Sequence, residues 1–341
     1  MQLPSRVLVV RTDKLGDFML TWPALALLRR ALPNSHIAVL VSESSEAMAC
    51  ACPFVDDVLV DRGQAHADLA EGIGKGGFGA AVVLFSTMRV ALALWRAGVA
   101  YRLAPATKLS QVFFNHRLLQ RRSLSIKPEH DYNVDVVLRF VKDHGLDAPD
   151  VLVGPYLTFP FSVIEAVSTD LRAAYGIPDD ALQVIVHPGS GGSARNLPPA
   201  AFAGLVDRLV SSRQLFVLVT AGPGEEGQAE LVRDQISSHR AAVHVSKEGL
   251  LAFTKVLATG EVFISGSTGP LHIAGAINVP TAAFYPRRRS STALRWQTTN
   301  QPSHRLAFSP PENAGESEMT AIDLDAAASA ISHSFLGESR V

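Results

Sequence analysis

The sequence predicts an α/β fold in two halves, each built on a mainly parallel sheet. Three observations carry this. Short β-branched runs alternate with longer segments of helical period, the pattern of strands covered by helices on both faces. The alternation stops in the Pro- and Gly-rich stretch Asp147–Phe161 and then restarts. The 341 residues fit two domains at roughly 150 residues each.

Taken in order, Arg6–Arg11 reads as a buried strand, and Phe18–Leu32 has helical spacing stopped by Pro33-Asn34. His36–Val41, Val55–Val60 and Ala80–Phe85 are further strands, with Ala- and Leu-rich helices between them. Ala104–Lys127 departs from the pattern: Arg117, Arg121, Arg122 and Lys127 lie among Phe113, Phe114 and Leu118, consistent with a solvated basic helix face. Asp131–His144 is a helix. After the boundary, strands are expected at Val184–His187, Leu215–Thr220, Ala242–Val245, Val262–Ser265 and Thr281–Tyr285. Helices are expected from Pro199 to Ser211, after Ala221–Glu226, at Gly249–Ala258, from Thr268 to Ile277 and at Ile322–Phe335. Asp323 and Asp325 open the last of these, where carboxylates suit the helix dipole. The expected division is 1–155, 156–320, and a closing helix and tail at 321–341.

Composition narrows the class. The 31 basic and 32 acidic residues balance, which gives no argument for a nucleic-acid partner. Cys50 and Cys52 form a C-x-C pair without zinc or disulfide-framework spacing, which suits a reducing compartment. The first apolar run, Val7–Val10, is too short for a signal peptide. No segment approaches the ~18 apolar residues of a membrane span. A cytoplasmic protein is expected.

The loop Arg11-Thr12-Asp13-Lys14-Leu15-Gly16-Asp17 follows the first strand, where open α/β sheets place ligands. It has one glycine where a dinucleotide enzyme would carry G-x-G-x-x-G, which disfavours a dehydrogenase. Asp17 at a helix start suits an N-cap. Capping needs only one such residue, however, and this loop gathers five charged or special ones.

In the second half, a Gly-rich turn after a strand, Pro188–Ser193 with Ser190 and Gly191, exposes backbone N–H groups to a phosphate. Arg195 adds a charged fork to diphosphate oxygens; the alternative is an ordinary βα turn. Thr220-Ala221-Gly222-Pro223-Gly224-Glu225-Glu226 follows the next strand. Ser267-Thr268-Gly269-Pro270-Leu271-His272 places Thr268 and Gly269 at a helix N-terminus, which suits a diphosphate. His272, one turn in, is a phosphate or packing contact.

The opening R-T-D-K-L-G-D-F-M-L-T-W-P resembles that of the bacterial ADP-heptose:lipopolysaccharide heptosyltransferases, glycosyltransferase family nine. The segments from His187 to Pro198, around Glu225, and from Ser267 to Ala276 extend the resemblance from about Arg6 to about Tyr285. It implies a GT-B fold of two facing Rossmann-like domains, the acceptor in the first and the nucleotide sugar in the second. Asp17 then maps onto the catalytic base. Arg11, Asp13, Lys14 and Gly16 fall on the acceptor side, and Glu225 falls at the nucleotide ribose, with Glu226 the alternative. Ser190, Gly191, Arg195, Ser267, Thr268, Gly269, Pro270, Leu271 and His272 surround the donor. The chain departs from the family pattern at Leu197, where Trp is usual, and at Ser267, where Asp is usual.

The resemblance implies transfer with inversion of a heptose or related sugar from a nucleotide-diphosphate donor, ADP-heptose in the family, to a lipopolysaccharide core. No cofactor is implied, and no D-x-D stands in a catalytic setting, so no metal is expected. The acceptor is an anionic lipid-linked glycan, which brings peripheral contact with the inner membrane into view, through Arg117, Arg121, Arg122 and Lys127 with Phe113 and Phe114, a solvated basic helix face being the alternative. Three rival readings are a GT-B enzyme for another nucleotide sugar, a sugar-nucleotide epimerase, and a non-catalytic nucleotide-sugar-binding member.

Overall fold

A computed structural model describes residues 3–106, 109–192, 195–212 and 214–337. The chain divides between Tyr156 and Leu157 into two compact units. The first carries strands β1 (Arg6–Arg11), β2 (His36–Ser42), β3 (Asp57–Asp61), β4 (Ala80–Val83), β5 (Tyr101–Pro105) and β6 (His116–Leu118). Its helices are α1 (Leu15–Met19), α2 (Trp22–Ala31), α3 (Glu46–Cys50), α4 (His66–Lys75), α5 (Met88–Arg96) and α6 (Glu129–Asp143). The sheet runs β3-β2-β1-β4-β5-β6, with every pair parallel.

Alternation along β1 divides the core. Leu8 and Val10 join Ala38, Leu40, Ala81 and Val83 against Leu69, Ile73, Val90 and Leu94 of α4 and α5. Val7 and Val9 are also buried, on the opposite face of the pleat. Helix α6 packs against α2, β4 and β5.

The second unit repeats the plan. Its strands are β7 (Leu182–His187), β8 (Leu215–Ala221), β9 (Ala241–Val245), β10 (Val262–Gly266), β11 (Thr281–Phe284) and β12 (Arg305–Phe308). Its helices are α7 (Phe161–Tyr175), α8 (Pro199–Ser212), α9 (Glu226–Gln235), α10 (Leu250–Leu257), α11 (Gly269–Ala276) and α12 (Leu324–Phe335). The order is β12-β11-β10-β7-β8-β9, again all parallel. Val184, Val186, Val217, Val219 and Ile264 pack against Phe202, Val206 and Leu209 of α8, Val232 of α9 and Ile331 of α12. Asp323 caps α12, accepting from the N–H groups of Asp325 and Ala326 at 3.0 and 2.9 Å.

In each sheet the chain reverses direction once, at β1/β4 and at β7/β10. Ligands of open α/β sheets bind outside the carboxyl ends of the strands at such a point. The loops after β1, β7 and β10 all lie there.

Two expectations are corrected. The single helix over Phe18–Leu32 is two, because the turn at Leu20-Thr21 interrupts it. Thr21 Oγ1 donates to Phe18 O at 2.6 Å, and Pro23 occupies the first turn of α2, where its missing N–H costs nothing. The basic stretch after Ala104 is no helix; it holds edge strand β6 and 3₁₀ turns, with Phe114 buried. Within it Arg122 and Lys127 are committed to Glu129 and Asp135, leaving Arg117 and Arg121 exposed.

Candidate active site

Arg11 ends β1 with its side chain 3% exposed. A guanidinium has five N–H donors, and here all five are used inside the first unit. Nε donates to Asp13 Oδ1 at 2.7 Å. Nη1 donates to Asn133 Oδ1 at 3.0 Å and to Glu129 Oε1 at 3.3 Å. Nη2 donates to Asp17 Oδ1 at 2.6 Å and to the same Glu129 oxygen at 3.3 Å. Burial opposes the charge, but the three carboxylates outweigh it and hold the guanidinium protonated. Arg11 is therefore saturated, which corrects the expectation that it meets an acceptor; it orients Asp13 and Asp17.

Asp17 is the third residue of α1, and Lys14 holds the N-cap position without any side-chain cap. The capping reading of Asp17 thus fails: its carboxylate turns to Arg11. It remains 16% exposed. Burial pushes its pKa up to about 6, against the lowering pull of Arg11 and with further upward pushes from Asp13 and Glu129. A carboxylate with some solvent access and a pKa close to neutral suits proton abstraction. Lys14 is exposed and Gly16 half-buried beside it.

Sequence reasoning missed Glu129 and Asn133, which stand one turn apart on α6 and are both buried. Asn133 Nδ2 donates to Leu20 O at 2.9 Å, so α6 also clamps the break between α1 and α2. The available signal was an acid and an amide four residues apart at the start of a helix.

In the second unit the Gly-rich turn after β7 takes positive φ at Gly191 and Gly192 (+50° and +70°), a conformation that favours glycine. Glu225, just before α9, reaches across to it. Its carboxylate accepts from Gly191 N at 3.0 Å and Gly222 N at 3.3 Å and lies 3.4 Å from His187 Nε2. The His187 contact leads, and the two amides assist, in holding the Glu225 pKa down to about 2 against the effect of burial. A Cβ on Gly189 would run into that carboxylate. Glu225 is thus the strut between the turns after β7 and β8, and His187, placed by Thr220 Oγ1 at 3.1 Å, is its base.

Asn196 makes the second tie. Its Nδ2 donates to Pro188 O at 3.0 Å, and its amide lies where a Cβ on Gly266 would be. This holds the segment before α8 against the end of β10. There Thr268 caps α11, accepting from Leu271 N at 3.3 Å. Gly269, the first residue of α11, has an N–H with no partner inside the helix. Leu271 and His272 are 0% and 3% exposed. Their side chains are buried, which for His272 fits packing, one of the two places expected of it. Ser190, Ser267, Gly269 and Pro270 are half-buried, and Gly191 and Arg195 are exposed at the same carboxyl edge. Ser193 and Ala194 lie outside the described residues.

The sequence profile of glycosyltransferase family 9 (heptosyltransferase) matches residues 165–305. A relative from Haemophilus influenzae, bearing a provisional glycosyltransferase name, is 39% identical over 319 residues, 92% of each chain. The chain belongs to glycosyltransferase family 9. Solved structures agree in fold. A family 9 glycosyl transferase from Veillonella parvula superposes with a TM-score of 0.79 at 19% identity, covering 97% of both chains. The ADP-heptose lps heptosyltransferase II of E. coli gives 0.78 at 15% identity, covering 97% of this chain and 98% of that one. The E. coli heptosyltransferase WaaC with ADP gives 0.73 at 17%, covering 96% and 99%. The fold is therefore GT-B. Among the described residues of this glycosyltransferase, no group of three or more His, Cys, Asp or Glu side chains is placed to hold a metal ion. Among them, too, no helix is long and apolar enough to cross a membrane.

Proposed function

We propose that this family 9 glycosyltransferase inverts the anomeric centre as it moves a heptose or related sugar from an ADP-linked donor to a lipopolysaccharide-core hydroxyl. The observation that carries the reading is Asp17: a partly exposed carboxylate beyond the carboxyl end of β1, oriented by a saturated arginine, with burial pushing its pKa up to about 6. The acceptor hydroxyl is a weak nucleophile. As its oxygen bonds to the anomeric carbon, its proton passes to Asp17. The bond from that carbon to the phosphate oxygen breaks, and the nucleoside diphosphate leaves with the electron pair. Positive charge builds on the ring, as in other glycosyl transfers. Arg195 and the N–H groups at the start of α11 stabilise the negative charge gathering on the diphosphate, in the role a metal plays elsewhere. Asp13 and Lys14 border the acceptor; Ser190, Gly191 and Glu225 border the nucleotide.

Replacing Asp17 by Asn tests this. Turnover should fall by ~10²–10⁴, with nucleotide binding, read by thermal shift, nearly intact and chelators without effect on the parent enzyme. Full activity in the variant sinks the reading.

Ser267 favours a second donor. It stands where the family resemblance leads to Asp, so the sugar or base contacted there differs in chemistry. A thermal-shift panel of nucleoside diphosphates and nucleotide sugars decides between ADP-heptose and another donor. A flat panel favours the non-catalytic reading.

The acceptor implies work at the cytoplasmic face of the inner membrane. Exposed Leu119 (72%) and Ile126 (68%), with exposed Arg117 and Arg121 beside them in the chain, suit an anionic lipid surface. Co-sedimentation with anionic but not neutral vesicles, lost in Arg117→Glu/Arg121→Glu, is the expected result.

A further inference from the structure

We infer that Glu129 is a positioning residue for Asp17: through Arg11 it fixes the carboxylate and keeps it basic enough to take a proton, and Arg122 sets the strength of that effect. The inference rests on Asp17 acting as the base.

The argument begins with charge. Two guanidinium groups, Arg11 and Arg122, face three carboxylates, Asp13, Asp17 and Glu129. With every group ionised the cluster carries one excess negative charge. Arg11 is shared among all three acids, so its attraction for Asp17 is diluted. Glu129 takes part of that share: a single oxygen accepts from both Nη atoms of Arg11 at 3.3 Å, beside the shorter contacts to Asp13 and Asp17. That oxygen also accepts from Arg122 Nη1 at 2.6 Å. Arg122 is itself held, its Nε and Nη2 donating to Gln120 Oε1 at 3.0 and 2.9 Å. Gln120 is anchored in turn through Nε2 to Tyr132 O at 2.6 Å. A buried carboxylate 1% exposed is costly unless paired, and here its pairing runs straight to the reacting group.

The other charges nearby are occupied or point outward. Lys14, at the start of α1, is exposed. Glu43, on the 3₁₀ turn packed against α1, faces Arg62 at 3.8 Å. His130 on α6 lies 3.1 Å from Asp131. The groups acting on Asp17 are Arg11, Asp13 and Glu129, and the last two both push it upward.

The test is the acid limb of kcat/KM against pH, which reports the base of the free enzyme. Glu129→Gln keeps an acceptor oxygen and removes the charge. The limb should move down by about one pH unit, with kcat lowered several-fold at neutral pH and donor KM unchanged. Arg122→Gln removes the opposite charge and should move the limb up. Glu129→Asp should restore the parent position. A merely structural role for Glu129 lowers amplitude and melting temperature without opposite shifts. If both Gln variants leave the limb in place, the inference is overturned. If Glu129→Gln fails to fold, the direction of the shift in Arg122→Gln alone decides it. Asp17→Asn separates the two readings: a variant that keeps turnover removes the base itself, whereas a dead variant with an unmoved limb in Glu129→Gln and Arg122→Gln removes only the positioning role.

Discussion

Arg11 Nη2 donates to Asp17 Oδ1 at 2.6 Å, yet the Asp17 pKa stands at about 6 rather than below its ordinary 3.8. A contact of this kind normally lowers a carboxyl pKa. Here burial is the larger effect, and the arginine is divided among three acids. The contact therefore orients the carboxylate without quenching it as a base.

This makes Asp17 a cost to folding at neutral pH. Its folded pKa lies above the unfolded one, so the native state binds more protons between about pH 4 and pH 6. Stability from this group accordingly falls as pH rises through that window. Asp17→Asn should stabilise the protein at pH 7.5 by up to about 3 kcal/mol while turnover falls by ~10²–10⁴. The gain should vanish below about pH 4, and denaturant melts at the two pH values check it. Equal melts at pH 7.5 would show that the carboxylate is not strained.

Glu225 has the opposite sign. Its pKa is held down to about 2 from 4.5 by His187 and the amides of Gly191 and Gly222. The stability it contributes is present above about pH 4.5 and lost as pH falls toward 2. Glu225→Gln should lower the stability of the second unit by about 1–2 kcal/mol at pH 7. The gap from the parent should close in acid, as unfolding followed at pH 7 and pH 3 would reveal.

Much of this architecture is legible in the residues. Val7–Val10 bounded by Arg11 and Asp13 reads as a buried strand running into a polar loop, and the loop is where the structure puts the candidate base. The helix break at Leu20-Thr21 is not legible, because the apolar spacing from Phe18 continues across it and only Pro23 hints at a new first turn. Strands β6 and β12 escape because short edge strands carry little apolar pattern, as Arg117 and Arg305 within them show. Glu129 escapes for a different reason. It lies 118 residues from Arg11, and no local rule brings an acid on a distant helix to the first loop. Its role appears only when the sheet stacks α6 beside β4 and β5.

The contact between Asn196 and Gly266 predicts a steric switch at the donor turn. In Gly266→Ala the new Cβ meets the Asn196 amide, whose Nδ2 holds Pro188 O. The turn before α8 must shift, and nucleotide affinity should fall by about tenfold, or ~1.4 kcal/mol, with the fold retained. Asn196→Ala removes the obstacle, so the double variant should bind better than additivity allows. Isothermal titration with ADP across the four proteins measures the coupling, and strict additivity would show that the two residues do not share the turn.

Arg195 sets the final prediction. It is exposed at the carboxyl edge of the second sheet, one residue from Asn196, which ties that segment to Pro188. The backbone there is fixed while the guanidinium is directed by whatever anion arrives. A charge-assisted pair of this kind contributes about 1.5–3 kcal/mol, so Arg195→Ala should weaken nucleoside-diphosphate binding by roughly 10- to 100-fold. The loss should shrink as salt rises, because exposed charges are screened. The unphosphorylated nucleoside should bind both proteins alike, since it offers the guanidinium nothing to hold. Titrations with the diphosphate and the nucleoside at two ionic strengths distinguish a phosphate contact from a general disturbance of the turn, which would weaken both ligands together.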